Sequence, residues 1–137
     1  MDIPAELRKI GLHSDNAVVI GSGILSTLAI RDSNDIDVVV DPATYAKLKR
    51  TGRFAVEQSY GEEVLTGELF EIRTGWGVLG KEQTFEDLAR SSVIIEGTRY
   101  ITPEYLLAVK RHWLKDGNAR PKDINDVKLI EAYLKDH

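Results

Sequence analysis

The stretch 17–41, AVVIGSGILSTLAIRDSNDIDVVVD, decides how the chain folds. It opens with four apolar residues, Ala17 to Ile20, breaks at Gly21-Ser22-Gly23, and resumes as an apolar, β-branched run at 35–40 that carries two aspartates. The first run reads as a buried strand stopped by glycine. Ile24, Leu25, Leu28 and Ala29 then recur at helical spacing, so the glycines form a strand-to-helix turn. The second run reads as a strand in the middle of a sheet. Carboxylates are normally kept out of such a strand, because burying an unpaired charge is costly. Side chains alternate along a strand, which puts Asp35 and Asp37 on one face and Ile36 and Val38 on the other. At an effective dielectric of about 20 the two carboxylates repel by a few kcal/mol, and the pair asks for a counter-charge.

On either side of this stretch the pattern alternates between strands and helices. Residues 4–10 read as a short helix with proline in its first turn, and Asp41-Pro42 supplies an N-cap and first-turn proline for a helix to about Arg50. Strands are expected at 54–58, 63–65, 69–73 and 93–95, with Gly61, Gly67 and Gly75 as turn signals and Thr84-Phe85-Glu86-Asp87 as a capped helix start. Two helices close the chain, one from Thr102-Pro103 towards Asp116-Gly117 and one from Pro121 towards Leu134. The expectation is an α+β fold: a mixed sheet flanked by helices, with a C-terminal helix pair. It forms a single domain over 1–137, with its core at about 15–101 and the helix pair at about 102–135.

Composition narrows the function classes. The chain has 137 residues, 42% of them hydrophobic, which suits one compact core. No apolar run approaches the roughly 18 residues of a membrane span, and the opening MDIPAELRKIGLHSD lacks a secretory pattern, so a cytoplasmic protein is expected. The absence of cysteine excludes disulfides, thiolate zinc sites and a cysteine nucleophile, and His13, His112 and His137 show no ligand spacing. The net charge of -4 gives no global field for nucleic acid, although basic residues gather in KRHWLKDGNARPK from Lys110 to Lys122. That run suits either a solvated helix end or a local phosphate-binding patch.

A divalent cation would relieve the aspartate pair directly, and magnesium favours a few carboxylate oxygens together with water and substrate phosphate. Backbone N–H groups at Gly21 to Gly23, with the Ser22 hydroxyl, form a natural phosphate cradle. An Asp-x-Asp at a solvent-facing edge remains the plainer alternative. In EYLLAVKRHWLKDG, Lys110 falls on the apolar helix face, either snorkelling across it to solvent or delivering a cation from the core side towards phosphates. Asp123 sits in a first helical turn, where acid is favourable on dipole grounds alone. Trp76 stacks on a base or packs in the core, the latter preferred.

The order of strand, Gly-Ser turn, helix and RDSNDIDVVV resembles the polymerase-β-type nucleotidyltransferase superfamily, whose signature is a Gly-Gly or Gly-Ser turn followed by apolar-Asp-apolar-Asp-apolar. Arg31 and Ser33 match the Arg and Ser/Thr found before the Asp pair in its small bacterial members. LLAVKRHW followed by ARPKDINDVKLI is similar to the tail of lincosamide-nucleotidyltransferase-like and abortive-infection-type toxin nucleotidyltransferases, at Lys110, Arg120, Lys122, Asp123 and Asp126. The resemblance covers about residues 17–134. It implies a metal-dependent transfer of a nucleoside monophosphate from a nucleoside triphosphate to an acceptor hydroxyl, with release of pyrophosphate and with Mg2+ or Mn2+ as cofactor.

By the same resemblance Asp35 and Asp37 hold the metal that bridges the triphosphate. The family's third carboxylate, usually Asp, is here Glu71 in preference to Glu68, helping to hold a second metal and drawing the acceptor proton. Gly21 and Ser22 grip terminal phosphates, Arg31 and Ser33 support nucleotide binding, and Lys110 with Lys122 offsets charge on pyrophosphate, with Arg120 and Asp123 in support. Asp35, Asp37 and Glu71 are then expected within one metal's reach, facing the Gly21 turn and Lys110. The acceptor is a small molecule, an RNA end or a protein side chain, and a homodimer is among the implied partners. Two alternatives stay open: a toxin–antitoxin component acting on a partner protein or tRNA, and a non-catalytic nucleotide-binding domain of the same fold. An Asp-x-Asp glycosyltransferase would leave the Gly-Ser turn unexplained.

Overall fold

A computed structural model describes residues 1–137. In chain order the elements are α1 (Ile3–Lys9), β1 (Ala17–Ile20), α2 (Gly23–Thr27), β2 (Ile36–Val40), α3 (Pro42–Arg50), β3 (Ala55–Ser59), β4 (Glu62–Gly67), β5 (Phe70–Arg73), β6 (Gly75–Val78), β7 (Lys81–Thr84), α4 (Phe85–Ala89), β8 (Ser92–Ile95), β9 (Thr98–Ile101), α5 (Pro103–Asp116) and α6 (Pro121–Asp136). The α+β class and the C-terminal helix pair are as the sequence leads one to expect.

Seven strands form one mixed sheet in the order β3-β4-β5-β2-β1-β9-β8, while β6 and β7 make a separate hairpin. β2 is the central strand, antiparallel to β1 on one side and parallel to β5 on the other. This explains its composition: Ile36, Val38, Val39 and Val40 are fully buried, and both edges of the strand are paired. Residues of β1 and β2 join Ile3 and Leu7 of α1, Leu65, Ile72, Tyr100, Leu106 and Ile130 in a single apolar core.

Local signals account for the ends of the elements. Asp2, Asp41, Thr84 and Thr102 each accept a backbone N–H in the first turn of α1, α3, α4 and α5. Gly117 closes α5 in the left-handed conformation, at φ +77°. No helix is long and apolar enough to cross a membrane.

Three departures from the sequence reading have physical causes. Asp35 lies one residue outside its strand, because the ladder to β5 begins at Ile36, whose N–H donates to the Leu69 carbonyl at 2.7 Å. The helix after the glycine turn ends at Thr27, short of Ala29, which itself turns out at φ +57°. The β6–β7 hairpin and strand β9 escape the sequence reading, since their turns at Leu79-Gly80 and Glu96-Gly97 lack the Asn or Asp that usually precedes glycine. Both residues of each turn nevertheless adopt positive φ, as do Tyr60 and Gly61 between β3 and β4.

Candidate active site

Asp37 is the second residue of β2 and stands in register with Ile20 of β1 and Glu71 of β5. Its carboxylate faces the Gly21 turn so closely that a β-carbon on Gly21 would lie 3.1 Å from Asp37 Oδ2. Gly21 also adopts φ +64°, so glycine is required there twice over. Asp37 Oδ1 is buried with no hydrogen-bond partner. Burial, followed by the neighbouring charges of Asp35 and Glu71, pushes the Asp37 carboxyl up to about 6, against weaker opposing pulls from Arg73 and Lys122.

The turn before β2 is tied to the glycine turn. Ser22 and Ser33 hydroxyls lie 2.9 Å apart, and Ser33 donates to the Asp35 carbonyl at 3.1 Å, which leaves Ser22 as donor to Ser33. Ser22 is the N-cap of α2, yet its hydroxyl caps nothing in that helix. The bridge instead fixes exposed Asp35 beside half-buried Asp37.

Glu71 is held differently from the expectation. On β5, residues two apart share a face, and the Arg73 guanidinium closes an ion pair on Glu71 Oε1. The three carboxylates are neighbours, but no group of three acidic or histidine side chains is arranged to hold an ion as it stands. The expected three-way convergence is therefore not found, because Glu71 is drawn along its own strand to Arg73. Glu68 stands apart at the exposed start of that strand, paired with Arg53 at 3.0 Å.

Lys110 departs from both of its sequence readings. It is 3% exposed, so it does not snorkel to solvent, and its ion pairs are to Asp123 and Asp126 instead of Asp35 or Asp37. Its ammonium lies 2.6 Å from Asp123 Oδ1 and 3.1 Å from Asp126 Oδ2, and it sits 5.6 Å from the centre of the Trp113 ring. Asp123 also accepts the Arg120 backbone N–H at 3.0 Å and Arg120 Nε at 3.2 Å. Burial alone would raise the Asp123 carboxyl, but the Arg120 and Lys110 hydrogen bonds prevail and hold it at about 2.

Asp126 in turn carries Arg31, whose third guanidinium contact is the Asp32 carbonyl at 2.8 Å. One charged chain thus runs from the helix pair to the turn that presents Asp35. Lys122 is exposed at the start of α6, within electrostatic reach of Asp37. Trp76 packs on the core and meets Trp113 edge to face at 6.4 Å, in line with the packing role.

Of the expected site residues, the fold gathers Gly21, Ser22, Ser33, Asp35 and Asp37 at one turn and leaves Glu71 on the neighbouring strand paired with Arg73, which sequence reasoning passed over. Its signal was available in FEIR, where alternation places Glu and Arg on one face of a short strand. A cleft of about 580 Å³ opens near the far ends of β2 and β5, lined by Pro42, Tyr45, Glu62, Glu63, Thr74 and Glu82. Its three glutamates make it a poor host for a triphosphate. Comparison of the chain with protein-family models, curated proteins and solved structures returns no match.

Proposed function

We propose that the chain is a metal-dependent nucleotidyltransferase centred on Asp35 and Asp37. The observation that carries the reading is the Asp37 carboxylate, whose Oδ1 is buried and unsatisfied while its Oδ2 faces a glycine turn, on a residue in register with a third carboxylate. A buried carboxylate oxygen without a protein partner is costly, and a hard cation bound by Asp35 and Asp37 would satisfy it. That cation, Mg2+ or Mn2+, supplies Lewis-acid polarisation of the triphosphate.

The chain's own residues do the remainder. Backbone N–H groups of the Gly21 turn orient the phosphates, and the Ser22 hydroxyl, expected as a phosphate donor, is instead committed to Ser33 and holds the Asp35 turn at a fixed distance from them. The acceptor hydroxyl forms a new bond to the α-phosphorus while the bond to the bridging oxygen of the β-phosphate breaks, and pyrophosphate departs with that electron pair. The hydroxyl proton passes to Glu71, the carboxylate next to Asp37. Lys122 is placed to offset negative charge on the nucleotide.

The test is incubation with Mg2+ and each α-labelled nucleoside triphosphate in turn, with total small RNA and lysate protein offered as acceptors. Wild type is expected to transfer label, and Asp35→Ala/Asp37→Ala to lose transfer. Transfer that survives the double substitution overturns the assignment. Tight triphosphate binding without transfer would instead mark a non-catalytic nucleotide-binding domain.

A further inference from the structure

Arg73 lies in the midst of the site with no role in the reaction outlined above. Its side chain is 12% exposed, it is ion-paired to Glu71, and its Nε is buried with no protein partner. Asp35, Asp37 and Glu71 together carry three negative charges, and the two-metal scheme answers them with two divalent cations and the substrate's phosphates. Here one positive charge is already built into the strand. The guanidinium answers Glu71, and a single divalent cation on Asp35 and Asp37 would balance the other two, with the exposed Lys122 left to the nucleotide. A second divalent ion at Glu71 would have to displace a guanidinium held two residues away on the same strand face, and it would meet Arg73 as a like charge.

We propose that Arg73 stands in for the second metal ion: the site binds one divalent cation per chain, while Arg73 fixes Glu71 and keeps a second cation off it. The inference rests on the nucleotidyltransferase reading and deepens it. Glu71 then serves the acceptor proton without being a metal ligand. A guanidinium suits the role of a fixed cation, because it stays charged at every working pH and presents its donors in a planar fork.

The experiment is a titration with Mn2+ alone, read by the loss of the free-ion electron paramagnetic resonance signal. Wild type, Asp37→Asn, Glu71→Gln, Arg73→Met and Arg73→Lys are compared, each checked by circular dichroism for native folding. Wild type is expected to bind one Mn2+ per chain, and Asp37→Asn to weaken that binding by at least roughly tenfold, about 1.4 kcal/mol. Glu71→Gln is expected to leave the single ion bound within a factor of about two, whereas Arg73→Met gains a second ion that Arg73→Lys does not.

Two ions in wild type, one of them lost in Glu71→Gln, would overturn the substitution of Arg73 for a metal and leave the nucleotidyltransferase reading standing. No Mn2+ bound by wild type would overturn both. Should Arg73→Met fail to fold, Glu71→Gln alone decides, since its ion count changes only if Glu71 is a ligand.

Discussion

Arg31 grips Asp126 with two hydrogen bonds, Nε to Oδ1 at 2.6 Å and Nη2 to Oδ2 at 2.8 Å, across 95 residues of sequence. The same guanidinium holds the Asp32 carbonyl, so the turn that presents Asp35 is fastened to α6 instead of hanging from β2. Behind the pair, Lys110 is shared between Asp126 and Asp123, all three buried. Such a network is stable only while complete, because removing one member strands the others in a poorly solvating interior.

Lys110→Met is therefore expected to cost about 3–5 kcal/mol in urea unfolding, since it leaves two buried carboxylates one cation short. Arg111→Met, which breaks an exposed ion pair to Glu131 with side chains 55% and 47% accessible, is the control and should change stability by less than about 1 kcal/mol. Equal losses in the two variants would show that the buried network adds nothing special.

Asp37 carries a pH signature of opposite sign to that of a salt-bridged acid. Its folded-state pKa of about 6 lies above the ordinary 3.8, so the folded protein holds that proton more tightly than the unfolded chain. Ionising it weakens the fold as pH rises from about 4 to 6, by up to roughly 3 kcal/mol at about 1.4 kcal/mol per pKa unit. Asp37→Asn should melt higher than wild type at pH 7.5 and converge with it near pH 4. Melting curves that stay parallel across that range would refute the shift.

Asp123 acts the other way. Its carboxyl is held at about 2, below its ordinary value, so the stability it contributes is present above about pH 4 and lost as pH falls towards 2. An acid titration followed by near-ultraviolet circular dichroism should show wild type unfolding in that window. Asp123→Asn, destabilised at neutral pH, should show a shallower acid dependence.

Much of this architecture could be read from the sequence because short-range chemistry decides it. The break at Gly21, the β-branched run of β2 and the Pro-led helices each follow from a steric or capping rule acting within a few residues. The strands that escaped notice turn on Leu79-Gly80 and Glu96-Gly97, where conformational freedom at glycine is the only local cue. Lys110 and Glu71 were legible as residues but not as partners. A buried lysine on an apolar face looks the same in sequence whether it meets water, phosphate or two aspartates, and only the packing of α6 on α5 selects Asp123 and Asp126. The resemblance sets Glu71 within one metal's reach of Asp35 and Asp37, whereas its ion pair is to Arg73, two residues along its own strand.

The Ser22–Ser33 bridge should be a positioning device. Ser33 is buried and its hydroxyl both receives Ser22 and donates to the Asp35 carbonyl. Ser33→Ala is expected to cost roughly 1 kcal/mol of stability and, by freeing the Asp35 turn, to weaken Mn2+ binding several-fold. Unchanged Mn2+ affinity in a variant with that loss of stability would leave the bridge a purely structural bond.

Two glycines two residues apart should fail for different reasons. A β-carbon on Gly23 would fall 2.3 Å from Val19 Cγ1, a collision with a fully buried strand residue, so Gly23→Ala should be destabilised by at least about 1–3 kcal/mol through forced repacking. At Gly21 the added carbon meets Asp37 Oδ2 at 3.1 Å and the backbone is left-handed, so Gly21→Ala should lose roughly 1–2 kcal/mol from strain. The difference lies in function: Gly21→Ala also crowds the carboxylate proposed to bind the cation, and Mn2+ affinity should fall beyond what its stability loss explains. Measured together by urea unfolding and Mn2+ titration, Gly23→Ala should retain Mn2+ binding in its folded fraction and Gly21→Ala should not. The reverse pattern would remove the Gly21 turn from the site.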